Sequence, residues 1–438
     1  MTAERRLEWR LNVEMTEDPP LPLREIPELS RQTYVNIHSF QALNAISYTI
    51  ALGSPLTLFA RELGASASVL GLIVAFTPLL AMLQLIVAPY AARVGYRPVV
   101  MRGWTGRVST LVLMCGLPWL APLVSREVSI IAIVASMFVF NLLRGYAAGS
   151  WLPWMTALIP RGSRARFLTR DRTFTALSSV AALGVSGSIL AGEHTALGYS
   201  VMFGLSFLAG GASLYFLNRI PRSPYVAGPT GQAIKPAVPW RTILRDRGFM
   251  TYAGFGFGVQ LIAAAAGTFV IVFVREEIGL ADGLILQLAA IGQGVSMLAL
   301  WYGRRRLDLR GSKPFIALAL GWLVFYFVMW LAMAGRIIPG ALIVAPILMA
   351  AHGFGAGLLD LASTRMLMNM GGDRSGSSQY FSIYQAGSNL ASGLAPLMWG
   401  LALDGMRGGA MNRYFVFFGA EIALVLIMAL VLTRVRER

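Results

Sequence analysis

The chain has 438 residues, of which 56% are hydrophobic and only 13% charged, and its formal net charge is +16. Soluble domains carry roughly 25% Asp, Glu, Lys and Arg, so about half the usual polar covering is missing. A water-soluble fold of this composition would expose too much apolar surface to stay dispersed, which excludes a soluble enzyme and requires an integral membrane protein.

A membrane-crossing helix needs about 20 apolar residues. Apolar runs separated by charged or Pro/Gly punctuation predict twelve spans, at 37–59, 69–89, 99–120, 129–158, 173–191, 197–217, 250–273, 284–302, 314–334, 338–359, 380–403 and 414–433. The runs are too long for barrel strands and do not alternate, so the predicted class is an all-α membrane protein. Residues 1–34 read as an N-terminal tail. The first thirty hold seven acidic residues and four Arg without a short apolar core, so no cleavable signal peptide is expected. Residues 35–217 form a first six-helix bundle and residues 250–433 a second, with 434–438 as a tail. Between them, 218–249 carries Pro221, Pro224, Pro229, Pro236 and Pro239 and reads as a solvated linker.

The 37 Lys and Arg residues are unevenly placed. With the N-terminus inside, 29 fall in the tails and the even-numbered connections, counting Arg102 at the first turn of span 3, whereas six (Arg61, Arg126, Arg275, Arg336, Arg407 and Arg413) fall in the odd-numbered ones. That asymmetry predicts both termini in the cytoplasm, with the protein in the cytoplasmic (inner) membrane. It also accounts for the positive charge without nucleic acid as a partner. Cys115, the single cysteine, permits no internal disulfide.

In chain order, the spans offer few polar groups. Span 1 carries Gln41, Asn44 and Tyr48, span 2 Thr77, and span 4 Asn141 and Arg144. Span 7 adds Gln260, span 8 Gln293 and span 10 His352. In span 11, Ser378, Ser382, Gln385, Asn389 and Ser392 recur at helical spacing and form one polar face, which cannot face lipid cheaply. The set predicts a hydrated cavity with neutral hydrogen-bonding walls, although inter-helix bonding explains any one member. Arg107 and Arg144 fall inside spans, where a charge costs about 2.5–3.5 kcal/mol or more. Arg144 reads either as an anion or proton-coupling site or as a structural group bonding carbonyls. His352 suits proton linkage by its ordinary titration range, or serves in packing. Asp360, near the end of span 10, and Glu421, in span 12, complete the coupling candidates, the first expected at the interface and the second in a structural pairing. The spacings Gly145/Gly149 and Gly353/Gly357 predict close helix packing.

The chain also repeats itself. Phe59-Ala-Arg61-Glu62 recurs as Phe273-Val-Arg275-Glu276, Gly95-Tyr-Arg97-Pro98 as Gly311-Ser-Lys313-Pro314, and Tyr199-Ser-Val201-Met-Phe203-Gly204 as Tyr414-Phe-Val416-Phe-Phe418-Gly419. A fourth pair joins Arg144-Gly145-Tyr146-Ala-Ala148-Gly149 to His352-Gly353-Phe354-Gly-Ala356-Gly357. Six-helix halves repeated in parallel are related by an axis along the membrane normal.

On these repeats, over roughly residues 35–435, the sequence resembles the major facilitator superfamily. The loop between spans 2 and 3, Ala92-Arg93-Val-Gly95-Tyr-Arg97-Pro98, is similar to the family's signature, with Ala92 in place of its acidic residue. Its repeat keeps Asp308 but has Leu309 where the family has Arg. Span 4 resembles the second signature, an Arg followed by spaced glycines, while the antiporter Gly-Pro motif is missing after Gly184, Gly187 and Gly192. The resemblance implies a cytoplasmic latch at Arg93, Gly95, Arg97, Asp308, Gly311 and Lys313. Asp171, in the basic cluster Arg161–Arg172, is expected to pair with Arg93 and Arg97 across this gate.

No phosphate loop is present, since neither Lys235 nor Lys313 follows a Gly. With His38, His194 and His352 as the only histidines, no metal-binding pair is spaced for catalysis, and no enzyme activity, metal or cofactor is expected. The expected function is secondary transport of a small polar or anionic organic solute by alternating access, by a monomer in the lipid bilayer, with protons as one coupling option. Efflux of lipophilic drugs and a non-transporting sensor of the same fold are the alternatives.

Overall fold

The computed structural model describes residues 30–159, 164–192, 196–222, 240–338, 341–371, 377–408 and 412–435. Among them, every element of regular structure is helical. Span 1 is built from Arg31–Leu52 and Ser54–Glu62, and span 2 from Ala67–Ala81 and Leu83–Val94. Spans 3 to 6 are Tyr96–Leu120, Arg126–Leu158, Arg164–Leu190 and Ala196–Asn218. Spans 7 to 9 are Arg247–Phe273, Asp282–Arg310 and Lys313–Ala334. Spans 10 to 12 are Ala341–Gly371, Ser377–Gly405 and Arg413–Arg434. Among the described residues, eleven helices are long and apolar enough to cross a membrane by composition. Span 11 is the exception, because its polar face dilutes an otherwise apolar helix.

Twelve crossings return the chain to the end of the bundle where it began. Ser30 and Arg434 therefore share one end, the termini end, and the odd-numbered connections lie at the far end. Ser30 starts span 1 by accepting from the Thr33 amide at 3.2 Å. The span breaks at Gly53, whose backbone is extended, and restarts with Pro55 at the first turn, where no amide hydrogen is needed. Span 2 breaks at Met82, between Pro78 and Pro89, where the ladder gives way to tighter bonds from Met82 N–H to the Leu79 carbonyl at 3.1 Å and from Leu85 N–H to the Met82 carbonyl at 3.0 Å. Gly95 and Gly311 end spans 2 and 8 at φ +100° and +76°, conformations that favour glycine.

The two halves pack by the same scheme. Span 1 packs on spans 5 and 6, span 3 on 4 and 6, and span 2 on 4; span 7 packs on 11 and 12, span 9 on 10 and 12, and span 8 on 10. Adding six to each number in the first half gives the second, so the sequence repeats correspond to a repeated bundle. The glycine pairs set the closest approaches. A Cβ at Gly145 would lie 2.1 Å from the Leu80 carbonyl oxygen, and one at Gly353 1.8 Å from that of Gly292. These seat span 4 on span 2 and span 10 on span 8, in symmetric positions. Large apolar side chains such as Ile86, Leu208 and Leu430 remain exposed around the bundle, as a lipid-facing surface requires.

The halves meet along spans 2 and 11 and along spans 5 and 8. Both seams are tight near the far end. A Cβ at Gly71 would lie 2.1 Å from the Pro396 oxygen, and one at Gly283 2.6 Å from the Ala191 nitrogen. Toward the termini end the first seam gives way to a cavity of about 280 Å³ between Gln84 and Leu85 of span 2 and Gln385 and Asn389 of span 11.

Candidate functional site

Two larger cavities occupy the middle of the molecule. One, of about 720 Å³, is bordered by Gln41, Asn44 and Tyr48 of span 1, Thr77 of span 2, Gln293 of span 8 and Ser392 of span 11. The other, of about 590 Å³, is bordered by Arg172, Ser296, Tyr326, His352 and Asp360. Thr175, Ser179 and Gln293 line both, so the two spaces share a wall made by spans 5 and 8. The helical periodicity of the polar positions brings them to this axis, and both halves contribute.

Most of the predicted polar set converges here. Thr77 donates to Asn141 Oδ1 at 3.1 Å, Gln385 to Asn389 at 3.1 Å, and Ser392 to Gln260 Oε1 at 3.2 Å. Gln385 and Asn389 border the 280 Å³ cavity; Gln260 and Asn141 stand behind the lining. The side chain of Ser378 lies outside the described residues.

Arg144 donates to Asn141 Oδ1 at 3.3 Å and to the Thr77 carbonyl, with its guanidinium 5.8 Å from the Tyr48 ring. His352 lines the second cavity, stacked on Tyr326 with ring centroids 4.3 Å apart. Asp360 is exposed and lines that cavity, as Arg172 does from span 5, and span 10 runs on past it to Gly371. Glu421 is buried and borders neither cavity; the Trp399 side chain is its one polar neighbour among the described residues, in keeping with a structural pairing.

The sequence reading passed over Arg107 as a site residue. It is 1% exposed, lies 4.9 Å from the Trp104 ring and 5.3 Å from that of Phe140, and donates to Asn44 Oδ1. Trp104 Nε1 donates to the same oxygen at 3.0 Å. A charge inside span 3 was the available signal; that it backs the cavity wall depends on how spans 1 and 3 pack.

The predicted latch residues bond differently from the expectation. Arg97 donates to the Asn218 carbonyl at 2.6 Å and to its Oδ1 at 2.9 Å. Its repeat-mate Lys313 donates to the carbonyls of Thr433 and Val435 at 3.1 and 2.9 Å. Each therefore ties its loop to the last span of its own half. Asp171 does not pair with Arg93 or Arg97; it accepts from Gln41 Nε2 at 3.0 Å and lies 3.8 Å from His38 Nδ1. Arg93 is exposed, Gly95 and Gly311 serve as helix ends, and the Asp308 side chain lies outside the described residues.

The far end, by contrast, is bridged between halves. Arg61 pairs with Glu276, and Arg275 with Glu62 at 2.5 Å. Arg275 also reaches Asp282 at 2.8 Å, and Asp282 accepts from the Tyr199 hydroxyl of span 6 at 2.8 Å. Asp404 accepts from the amides of Ala67 and Ser68 at 3.1 and 2.7 Å and from the Ser68 hydroxyl at 2.6 Å, capping span 2 from the opposite half. Between this closure and the termini end lies the polar space.

Solved structures of the same architecture support the assignment of the fold. A D-xylose–proton symporter superposes with a TM-score of 0.72 at 15% identity, over 93% of this chain and 99% of that one. A point-substituted form of the nucleoside transporter NupG gives 0.70 at 11% identity over 92% and 99%. A bacterial homologue of the human lysosomal transporter Spinster, inward-facing and unoccupied, gives 0.68 at 14% over 92% and 96%. No curated protein matches in sequence. The model of the Major Facilitator Superfamily matches residues 38–396, and with its repeated six-helix halves the chain belongs to that superfamily.

Proposed function

We propose that the chain is a secondary active transporter that moves a small polar organic solute by rocking its halves about the central cavities. The observation that carries this reading is a central space with polar side chains from both halves, beneath a cross-half closure found, among the described residues, at one end only. In this reading residues 35–217 and 250–433 are the moving bodies and 218–249 is the linker. Both termini face the cytoplasm of a bacterial-type inner membrane, in keeping with the Lys/Arg asymmetry, so the far end is the outer one and the state is closed to the outside. A monomer suffices, because the pathway lies within one chain, and no catalytic step is assigned.

Proton linkage, where it operates, falls on His352 and Asp360 of the 590 Å³ cavity, with Arg144, behind Tyr48 and Thr77 of the first cavity, as the fixed charge that responds to it. Arg97, Lys313, Gly95 and Gly311 brace each half internally as it moves, with Arg93 and Asp171 at the inner mouth. The test is saturable uptake into liposomes holding the purified protein, with and without an imposed proton gradient, over sugars, nucleosides, amino acids, organic anions and lipophilic cations. Uptake of polar solutes supports the reading. Binding without flux would favour a sensor, and uptake of lipophilic cations alone would favour drug efflux.

A further inference from the structure

We propose that the 720 Å³ cavity is a site for an organic anion, a carboxylate or phosphate ester, held by the Asn44 amide and the Tyr48 hydroxyl in the field of Arg107 and Arg144. This rests on the transporter reading and names its substrate class. Neither guanidinium has a carboxylate within ion-pair distance among the described residues, where the other ion pairs are found at the far end or at Asp171. The two are near enough to repel each other, and Tyr48 lies within electrostatic reach of both. A guanidinium holds its proton, so both charges persist. An apolar bilayer does not supply the missing counter-charge; a ligand in the adjoining cavity does.

The orientation of Asn44 adds a second, independent argument. Its Oδ1 accepts from Trp104 Nε1 and from Arg107, groups that can only donate. The amide is therefore fixed with its oxygen toward span 3, which leaves the NH₂ end as the hydrogen-bonding group for the cavity that Asn44 lines. A donor presented to the ligand with cations behind it favours a negative ligand over a neutral one. Thr77 is used similarly: its hydroxyl proton is committed to Asn141 and its carbonyl to Arg144. Arg107 is thus a positioning residue acting through Asn44, buried away from the ligand, with its Nε unpartnered. The carboxylates Asp171 and Asp360 sit toward the termini end, the first on Gln41 and His38 and the second in the lining of the 590 Å³ cavity.

The experiment uses the purified full chain and matched pairs that differ in charge: glucose with gluconate, glycerol with glycerol phosphate, inosine with inosine monophosphate. Binding is read by thermal shift, and uptake in liposomes. The expected result is that at least one anion binds more tightly than its neutral partner, by roughly tenfold, the size of one attraction at about 10 Å in a medium between water and protein. Asn44→Asp should pair with Arg107, keep the fold, and abolish that preference; Arg144→Gln should reduce it while Arg144→Lys retains most of it. If neutral members bind and are taken up equally or better, the anion assignment fails and the transporter reading stands. If the preference survives in Asn44→Asp and in Arg144→Gln, the site is elsewhere and the inference is wrong. If every pair binds without uptake, the transporter reading fails instead, and the charge preference in binding still decides the anion assignment.

Discussion

Arg61 of span 1 pairs with Glu276, in the turn Val274–Ile278 that follows span 7, while the repeat-mate of each, Arg275 and Glu62, makes the reciprocal pair. A single Arg-Glu motif, present once in each half, thus becomes a four-charge clasp when an axis of pseudo-symmetry brings the two copies together. The clasp closes the far end. Arg413 and the Tyr414 hydroxyl brace Glu276 at 3.1 and 3.3 Å from within the second half.

Exposed or half-exposed ion pairs contribute about 0–1 kcal/mol each, enough to shift a conformational balance about fivefold without threatening the fold. Arg61→Glu should therefore widen the far end, whereas Arg61→Glu combined with Glu276→Arg should largely restore it. Pulsed electron resonance between spin labels at the exposed positions Glu127 and Glu277 checks this. An unchanged distance distribution in the single variant would show that the clasp does not hold the closure.

Asp404 should be a second, separable fastener. Its carboxylate gathers two amides and a hydroxyl at the start of span 2. Asp404→Ala removes a cap of about 1 kcal/mol and should open the same end further when added to Arg61→Glu, while Asp404→Asn keeps part of the effect. The same label pair measures it, and additive widening is the expected outcome.

The seams inside each half predict where bulk is forbidden. Gly353→Ala places a Cβ against the Gly292 backbone, which cannot retreat as a flexible side chain can, so a loss of several kcal/mol or failure to fold is expected. Gly387→Ala, on span 11 with nothing within 4 Å of the new methyl, should fold normally. Monodispersity and the thermal midpoint in detergent distinguish the two.

Glu421 stands apart from the cavities in a buried site, with the Trp399 side chain as its polar neighbour. One indole N–H cannot satisfy both carboxyl oxygens, and removing a buried polar group that is incompletely hydrogen-bonded relieves a penalty of about 1–3 kcal/mol. Glu421→Met should therefore raise the thermal midpoint and leave solute uptake and its pH dependence unchanged. A loss of pH dependence would instead place Glu421 in the coupling chemistry.

The twelve spans were legible because bilayer thickness imposes a length on every apolar run. Helix ends were less so: the run of span 10 breaks at Asp360 and Arg365, yet the helix continues to Gly371, with Asp360 lining a cavity and Ala362, Met366 and Met370 buried in the core. The polar face of span 11 was readable from spacing alone, the same feature that makes the helix too polar to be recognised by composition. The repeats established which positions correspond but not which ones touch. Correspondence of Arg61 with Arg275 says nothing of the Arg61–Glu276 pair until the halves are set face to face. Arg107 was hidden for a related reason, since its place behind Asn44 depends on the packing of span 3 against spans 4 and 6, which span 1 joins through span 6. Asp171 was drawn by its basic neighbours in sequence toward Arg93 and Arg97, whereas span 5 turns it to span 1, where it meets Gln41 and His38.

Alternating access is tested most directly by following one cavity position from both sides of the membrane. In a Cys115→Ser background, a cysteine placed at Ser179, on the wall that the two large cavities share, would be labelled with a membrane-impermeant maleimide in sealed vesicles of each orientation. The rocking account predicts that Arg61→Glu raises labelling from the far side and lowers it from the termini side in the same proportion. Labelling from both sides that rises together would describe a pore, and labelling that stays confined to one side in every variant would describe a fixed pocket; either result would contradict the transporter.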